Sequence, residues 1–502
     1  MLTPALGSRN VIDSSQAGLA YAFEKSPGAL VNNPEWRGVA ITGYDEFGAT
    51  INTYVPEELK EGRMQPLGEV VGVTARGGFT CVLRQHNLRD FLPGFTFTPP
   101  YAYGTLEGAT AITAVTPTSI TVAGGTAAGF VVPTGVTLQA RLTGFGDAND
   151  GKIITITAAT NTALTTTGLT ANSSPPATAK IQLVGYKLTG ATISLDVTGS
   201  VTSLKGLDLT ATKVRPGSWL RIGGVSTTTQ FDADTTGYAR VGDVKSTGVE
   251  LDITTFTQAS KVGKAGIEIY IPTHNYRNGN TDTYYYYQLE RRLGRGDTGI
   301  QAEYVSGALA NELAINIPTQ EVVMASVGMV ARDAQTQSGF KSTDTGNTYI
   351  DAVPARAFNT SRAIKYLRLY QYSTSSFKPE MFTYLTDLSV TINNNVTEVN
   401  AVANVPAIDV SAGNYNVTGE LTAIFKNASA IQAARDNADV GFYAVANRAK
   451  EGWVIDVPHT RLGEVSLGIS PNEPITVSIS KNAGESARGY MVSLDFFDYL
   501  PE

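Results

Sequence analysis

Three histidines, His86, His274 and His459, and a single cysteine, Cys81, are the side chains of this 502-residue sequence best suited to nucleophilic or proton-transfer chemistry. A Ser/His/Asp or Cys/His site has to recruit one of those imidazoles as its base. The three lie far apart in sequence, without the spacing of metal ligands, and no serine sits in a Gly-x-Ser-x-Gly elbow. Cys81 falls within the apolar stretch Thr80-Cys81-Val82-Leu83, which reads as a strand with the thiol as core filler. A lone cysteine also precludes an intrachain disulfide and a cysteine-built zinc site. Carboxylate neighbours such as Glu57/Glu58 and Asp243/Glu250 are what solvated loops carry; acid–base work needs an apolar surround that lifts one pKa. Gly124-Gly125 and Gly223-Gly224 lack the Gly-Lys-Ser/Thr ending of a phosphate loop and read as β-turns. The expectation is a chain with no enzymatic activity, no catalytic residue, no cofactor and no metal.

Two further motifs have plain readings. Arg295-Gly296-Asp297 spells an adhesion tripeptide, but a polar turn spells it as readily. Tyr284-Tyr285-Tyr286-Tyr287 suits base stacking, yet in a strand alternate rings face opposite sides, so a half-buried strand explains the run. Lys+Arg total 38 against Asp+Glu 45, a net charge of −7, and that balance argues against a protein that grips DNA phosphates. The first ten residues lack a basic start followed by an apolar stretch, so no secretory signal is expected. No run of about 18 apolar residues occurs, so no membrane span is expected.

The elements that must position any site are strands. Charged residues make up 17% and hydrophobic ones 42%, with Gly 50 and Pro 22, a composition that favours strands and turns over helices. The length suggests roughly three or four domains. Between residues 108 and 200 the only charges are Arg141, Asp147, Asp150, Lys152, Lys180, Lys187 and Asp196. This Thr-rich, low-charge middle reads as an insertion, bounded by Pro99-Pro100 and the polar stretch His274–Thr283. Val132–Leu138 resembles Arg215–Leu220, and each leads into further short strands between glycines, which predicts two β modules, 105–186 and 187–272. The flanks are then 1–104 with 273–335, and 336–502.

Three motifs recur in order across those flanks. Thr50-Ile51-Asn52 is echoed by Thr391-Ile392-Asn393, and Thr80-Cys81-Val82-Leu83-Arg84-Gln85 by Thr422-Ala423-Ile424-Phe425-Lys426-Asn427. The third pair is Glu312-Leu313-Ala314-Ile315-Asn316-Ile317 and Glu464-Val465-Ser466-Leu467-Gly468-Ile469. First and second motifs are 30 residues apart in one flank and 31 in the other. The flanks therefore read as two copies of one fold, the first interrupted. Leu313, Ile315 and Ile317, like Val465, Leu467 and Ile469, alternate with small or polar residues, predicting a sheet with one buried face. Asn427–Ala434 has a capping residue and helix formers; Gln85–Leu92 is its weaker counterpart, cut short by Pro93-Gly94.

This pattern resembles the major tail tube proteins of long-tailed, siphovirus-type bacteriophages, best over 35–100 and 276–500. The resemblance is carried by Leu388–Asn395, Asn416–Phe425, Tyr287–Arg292 and Tyr304–Leu313. It implies a mainly β chain: a duplicated tail-tube sandwich or barrel with one short helix per tube fold and inserted small β-barrel or Ig-like modules. It implies a structural virion protein, made in the host cytoplasm, that polymerises into stacked rings as a conduit for genome ejection, with the modules outside. Its partners would be itself and, in the tail, tape measure, tail terminator and distal tail proteins, while DNA passes through the lumen without tight binding. Families of this kind close rings of six tube folds, so two per chain make a homotrimer ring, and one per chain a hexamer. The loop Val55–Leu67, with Pro56, Glu57, Glu58, Lys60, Glu61, Arg63 and Pro66, is expected to contact the next ring. Deletion of 105–272, joining Tyr103 to Asn275, is expected to spare the tube. The competing reading is a cell-surface or carbohydrate-binding β protein.

Overall fold

Along the strand Glu69–Val82, Ala75, Phe79 and Cys81 are buried while Thr74, Arg76 and Thr80 face the other way. That alternation fixes one sheet face to a core and leaves the other polar. The computed structural model describes residues 17–57, 64–125, 129–190, 193–199, 201–279, 283–296, 299–371, 385–425, 431–432, 435–471 and 473–501.

Glu69–Val82 pairs antiparallel with Gly43–Tyr54 on one side and with Met324–Ala331 on the other. Met324–Ala331 pairs in turn with the C-terminal half of the 19-residue strand Gly299–Ile317. The same succession recurs later in the chain: Leu385–Asn393, Asn416–Ile424, Thr476–Ala483, and the C-terminal half of Glu451–Gly468. The two sets meet edge to edge, because Glu312–Ile317 pairs antiparallel with Leu388–Asn393. The result is one continuous run of eight strands with a mainly apolar face and a mainly polar face.

The N-terminal half of each long strand belongs to a second layer. Gly299–Ile317 pairs there with Tyr286–Gly296 and Asp333–Ser338, and Tyr286–Gly296 with Gly18–Ser26. Glu451–Gly468 pairs there with Asp439–Arg448 and Ser493–Phe497, and Asp439–Arg448 with Ile364–Gln371. Between the layers lies the core, with Phe79, Leu289, Leu313, Ile392, Phe442 and Ile455 in one cluster.

The ladders set a register between the two sets. Thr80 and Thr422 occupy equivalent places, opposite Ser326 and Ser478, and Leu313 and Val465 lie opposite Val327 and Ile479. The second and third motifs thus occupy equivalent ladder positions in the two sets. The first is displaced by two residues: Thr391 and Gly48 are equivalent, because Thr391 pairs with Thr418 and Gly48 with Arg76. The register of Gly43–Tyr54 shifts between Asp45 and Phe47, where Glu46 has a φ of 41°, and that extra residue is a bulge. A displacement of two preserves the face, so Ile51 and Ile392 still point to the same side.

The short helix of the first half is Leu92–Thr96, later than Gln85–Leu92. Proline at the start of a helix loses no hydrogen bond and has a suitable φ, so Pro93 opens this helix and does not end one. Of the predicted helix Asn427–Ala434, only Ile431 and Gln432 are among the described residues, and both are helical.

Residues 105–270 form a ten-stranded and a four-stranded sheet. The larger sheet runs through both predicted modules, since Lys180–Leu188 pairs with Glu268–Tyr270, and one apolar cluster includes Leu138, Ile181, Leu204 and Ile222. The insertion enters at Tyr101–Ala102 and returns at His274–Arg277; these pair with each other, and His274–Arg277 pairs with Ser493–Phe497. The stem of an insertion in the first half is thus bonded to the last strand of the second.

Candidate assembly interface

Alternation along the eight strands gives the polar face its composition. Thr80, Ser326, Asn316, Thr391, Thr418 and Ser478 lie on it. Thr422 and Ser478 hydroxyls meet across strands at 3.2 Å, and Asn393 Nδ2 donates to Glu312 Oε2 at 3.1 Å. The one arginine of Glu69–Val82, Arg76, is bound to Glu398 at 2.5 Å. Neutral hydroxyls and amides with carboxylates at Glu312 and Glu420 give polyanions little to hold. Lys481 turns inward to the core side; burial pushes its ammonium down to about 7, and it donates to the carbonyls of Ser389 and Glu420 at 3.0 and 2.9 Å.

At the internal joint Leu313, Ile315 and Ile317 are buried opposite Ile392, Val390 and Leu388. Val82 is half-buried and Leu83 buried; Ile424, Phe425 and Val465 are half-buried. Leu467 and Ile469, expected on a buried face, are instead exposed, and so is Ile51 of the first motif. The reason is topological: Gly43–Tyr54 and the end of Glu451–Gly468 are the two outer strands of the eight, and no described strand pairs with their outer edges. Of the loop Val55–Leu67, Glu57 and Pro66 are exposed or partly so and Pro56 is partly buried, while Glu58, Lys60, Glu61 and Arg63 lie outside the described residues.

The insertion packs on the outer layer of the second half, a surface that sequence reading missed. Trp219, Tyr238 and Tyr270 share an apolar cluster with Tyr370, Tyr443, Phe497 and Leu500, and the Trp219 and Tyr443 rings are 4.8 Å apart. Arg240 is buried between Asp252 and Asp456, and Arg488 donates to Asp252 at 2.6 Å. Arg141 Nη1 donates to the Asp498 carbonyl at 2.8 Å, and Gln182 Nε2 to the Asp498 carboxylate at 2.5 Å. Arg89 pairs with the same carboxylate and holds it far below the ordinary range against the penalty of burial. Near the stem, burial pushes Asp495 up to about 7; Asn275 donates to its Oδ1 at 2.9 Å and its Oδ2 has no partner. These contacts tie 105–272 to the second half and argue against the expectation that its deletion spares the tube. The available signal was Arg240 itself, an arginine between Ala239 and Val241 in a strand otherwise apolar at its start.

The candidate chemistry does not converge. His86 and His274 line one cavity of about 500 Å³, but burial, followed by nearby Arg89, pushes His274 down to about 4, and His86 faces Glu451 at 3.8 Å. His459 lies elsewhere, bonded to Asp439 and the Glu485 carbonyl at 3.1 and 3.0 Å. Burial pushes the Cys81 thiol up to about 12, the opposite of activation. Among the described residues no group of three or more His, Cys, Asp or Glu is placed to hold a metal ion, and no helix is long and apolar enough to cross a membrane. Tyr287 is buried and Tyr284 exposed, as a half-buried strand requires; Asp297 of the adhesion tripeptide lies outside the described residues.

No curated protein matches the chain. The family described as phage tail tube protein matches residues 206–480, from the second part of the insertion to the penultimate strand of the fold. That match spans more than half of the 502 residues, and with the mainly β architecture it shows that the chain belongs to the phage tail tube protein family.

Proposed function

We propose that the chain is the major tail tube protein of a siphovirus-type phage, made in the host cytoplasm, in which three copies close a ring and rings stack into the conduit for genome ejection. The supporting observation is the internal joint: two four-strand sets, equivalent in order and register, join edge to edge, leaving, among the described residues, one unpaired edge of each kind. A sheet that ends in two such edges polymerises head to tail and closes when the rotation permits. Six four-strand sets in three chains then make the wall, with exact three-fold and approximate six-fold symmetry.

In this reading the tube units are 1–104 with 273–335, and 336–502. The parts 105–186 and 187–272 project outward, and the polar face lines the lumen, where DNA passes without tight binding. The chain performs no catalysis and needs no cofactor. The loop carrying Pro56, Glu57, Glu58, Lys60, Glu61, Arg63 and Pro66 meets the next ring, and the tube's ends meet tape measure, terminator and distal tail proteins. Averaged electron micrographs of the purified protein test this. Three-fold rings with three projections are expected; six-fold rings with six projections overturn the trimer, and discrete particles overturn the tube.

A further inference from the structure

We propose that neighbouring copies join through one defined ladder: residues 464–469 of one copy pair antiparallel with residues 44–50 of the next. Glu464 lies opposite Thr50, Val465 opposite Ala49 and Leu467 opposite Phe47, with Ile469 opposite Tyr44 beyond the bulge. This rests on the ring-forming reading above and adds to it the surface and its register.

The template is inside the chain. At the internal joint Glu312 lies opposite Asn393, Leu313 opposite Ile392 and Ile315 opposite Val390. Ladder equivalence converts Leu313 to Val465 and Ile315 to Leu467, through partners Val327 and Ile479, and Ala325 and Val477. The same counting converts Ile392 to Ala49, through Val417 and Ala75, and Val390 to Phe47, two residues beyond. Exposure separates the used joint from the unused one. Ile315 and Ile317 are 2% and 3% exposed, whereas Leu467 and Ile469 are 46% and 73% exposed.

Side-chain chemistry agrees with the proposed register on both faces. On the core side Val465, Leu467 and Ile469 meet Ala49, Phe47 and Tyr44, apolar against apolar or aromatic. On the polar side Glu464 and Ser466 meet Thr50 and Gly48. A slip of one residue turns every side chain of one strand to the wrong face, setting Leu467 against the polar side. At the bulge two residues, Asp45 and Glu46, crowd one partner position, and the residue there is Gly468, which has no side chain to obstruct them. The outer edges also carry backbone N–H and C=O groups that a second copy satisfies.

The test is cysteine cross-linking in the full chain. Cys81 is buried with its thiol pushed up to about 12, so it does not compete. Directly opposed side chains on neighbouring strands have Cβ atoms about 4.5–5.5 Å apart, against about 7–8 Å for positions two residues off. The double variant Glu464→Cys/Thr50→Cys should therefore form interchain disulfides on mild oxidation, giving covalent oligomers while rings persist. The comparison variant Glu464→Cys/Asn52→Cys, the register that alignment of the Thr-Ile-Asn motifs would give, should show loss of that band. Rings that cross-link through Asn52, or through neither pair, overturn the ladder while leaving the ring reading standing. A wild-type chain that forms no rings overturns both. Leu467→Asp gives a second reading: a folded, soluble chain that fails to close rings is expected, and normal rings refute the ladder.

Discussion

Arg240 Nη1 donates to both carboxylate oxygens of Asp456, at 3.0 and 2.9 Å, and both side chains are fully buried. The arginine belongs to the insertion and the aspartate to the long strand Glu451–Gly468 of the second half. Arg240 Nε and Nη2 also donate to Asp252 at 3.0 and 2.9 Å, and the Tyr370 hydroxyl lies 3.3 Å from Nη1. Burial drives the Asp456 carboxyl upward while the guanidinium opposes it. Such a pair adds little net stability over apolar residues of the same shape, but half of it alone is costly.

Arg240→Met should therefore lower unfolding free energy by about 3–5 kcal/mol, because Asp456 stays buried without its partner. Adding Asp456→Leu to that variant should restore part of the loss. Urea unfolding of the three proteins measures this. A single variant as stable as wild type would mean that the insertion does not rest on Asp456.

Deleting 105–272 should yield insoluble protein. The cut strips cover from Tyr370, Tyr443, Phe497 and Leu500, all buried against Trp219, Tyr238 and Tyr270 in the whole chain. An apolar aromatic patch of that kind drives aggregation. Expression with sedimentation decides it, and a soluble deleted chain that forms normal tubes would show that this contact is dispensable.

The pH dependence near the stem has a worked sign. Burial raises Asp495 from the ordinary aspartate value to about 7, so between about 4 and 7 the folded chain holds a proton that the unfolded chain has lost. The contribution is fully present below about pH 4 and is lost as pH rises through 7. Burial raises Glu24 to about 7 and acts in the same direction, so the two are separated by substitution. Asp495→Asn keeps the shape and removes the titration; it should be more stable than wild type at pH 8 by roughly 1–3 kcal/mol and nearly equal at pH 4. Equal pH profiles for variant and wild type would refute the assignment.

The sequence was legible where pattern and local physics agree. Leu313, Ile315 and Ile317 alternate because one face is buried, and the motifs at Thr80 and Glu312 align with Thr422 and Glu464 as the ladders do. Thr50-Ile51-Asn52 was misaligned because the ladder equivalents of Thr391-Ile392-Asn393 are Gly48-Ala49-Thr50, which are identical to them at no position, and a displacement of two keeps the face, which periodicity cannot register. Leu92–Thr96 was missed because Pro93 reads as a stop when the helix start is not known. The dock of the insertion showed in the sequence only as an arginine, Arg240, in the apolar start of a strand, with nothing to name its partner. Arg240 and Asp456 are 216 residues apart, and nothing local tells a strand arginine that its partner is a buried aspartate.

The last prediction concerns the arm formed by Gly43–Tyr54 and Glu69–Val82. Ile51, Tyr54, Val70 and Val71 are exposed near its end, and Met64 and Leu67 are exposed in the connection, so the arm presents apolar side chains that a neighbouring ring would cover. Tyr54 pairs with Glu69, the placement that a two-residue hairpin turn requires. Replacing 55–68 with Asn-Gly should therefore leave the arm's ladder intact and spare residues 44–50, which make the lateral contact. The shortened protein should close single rings and fail to stack them, seen as discrete rings with no tubes in electron micrographs. Tubes of normal length from that protein would remove residues 55–67 from the contact between rings, and failure to form even single rings would place them in the wall itself.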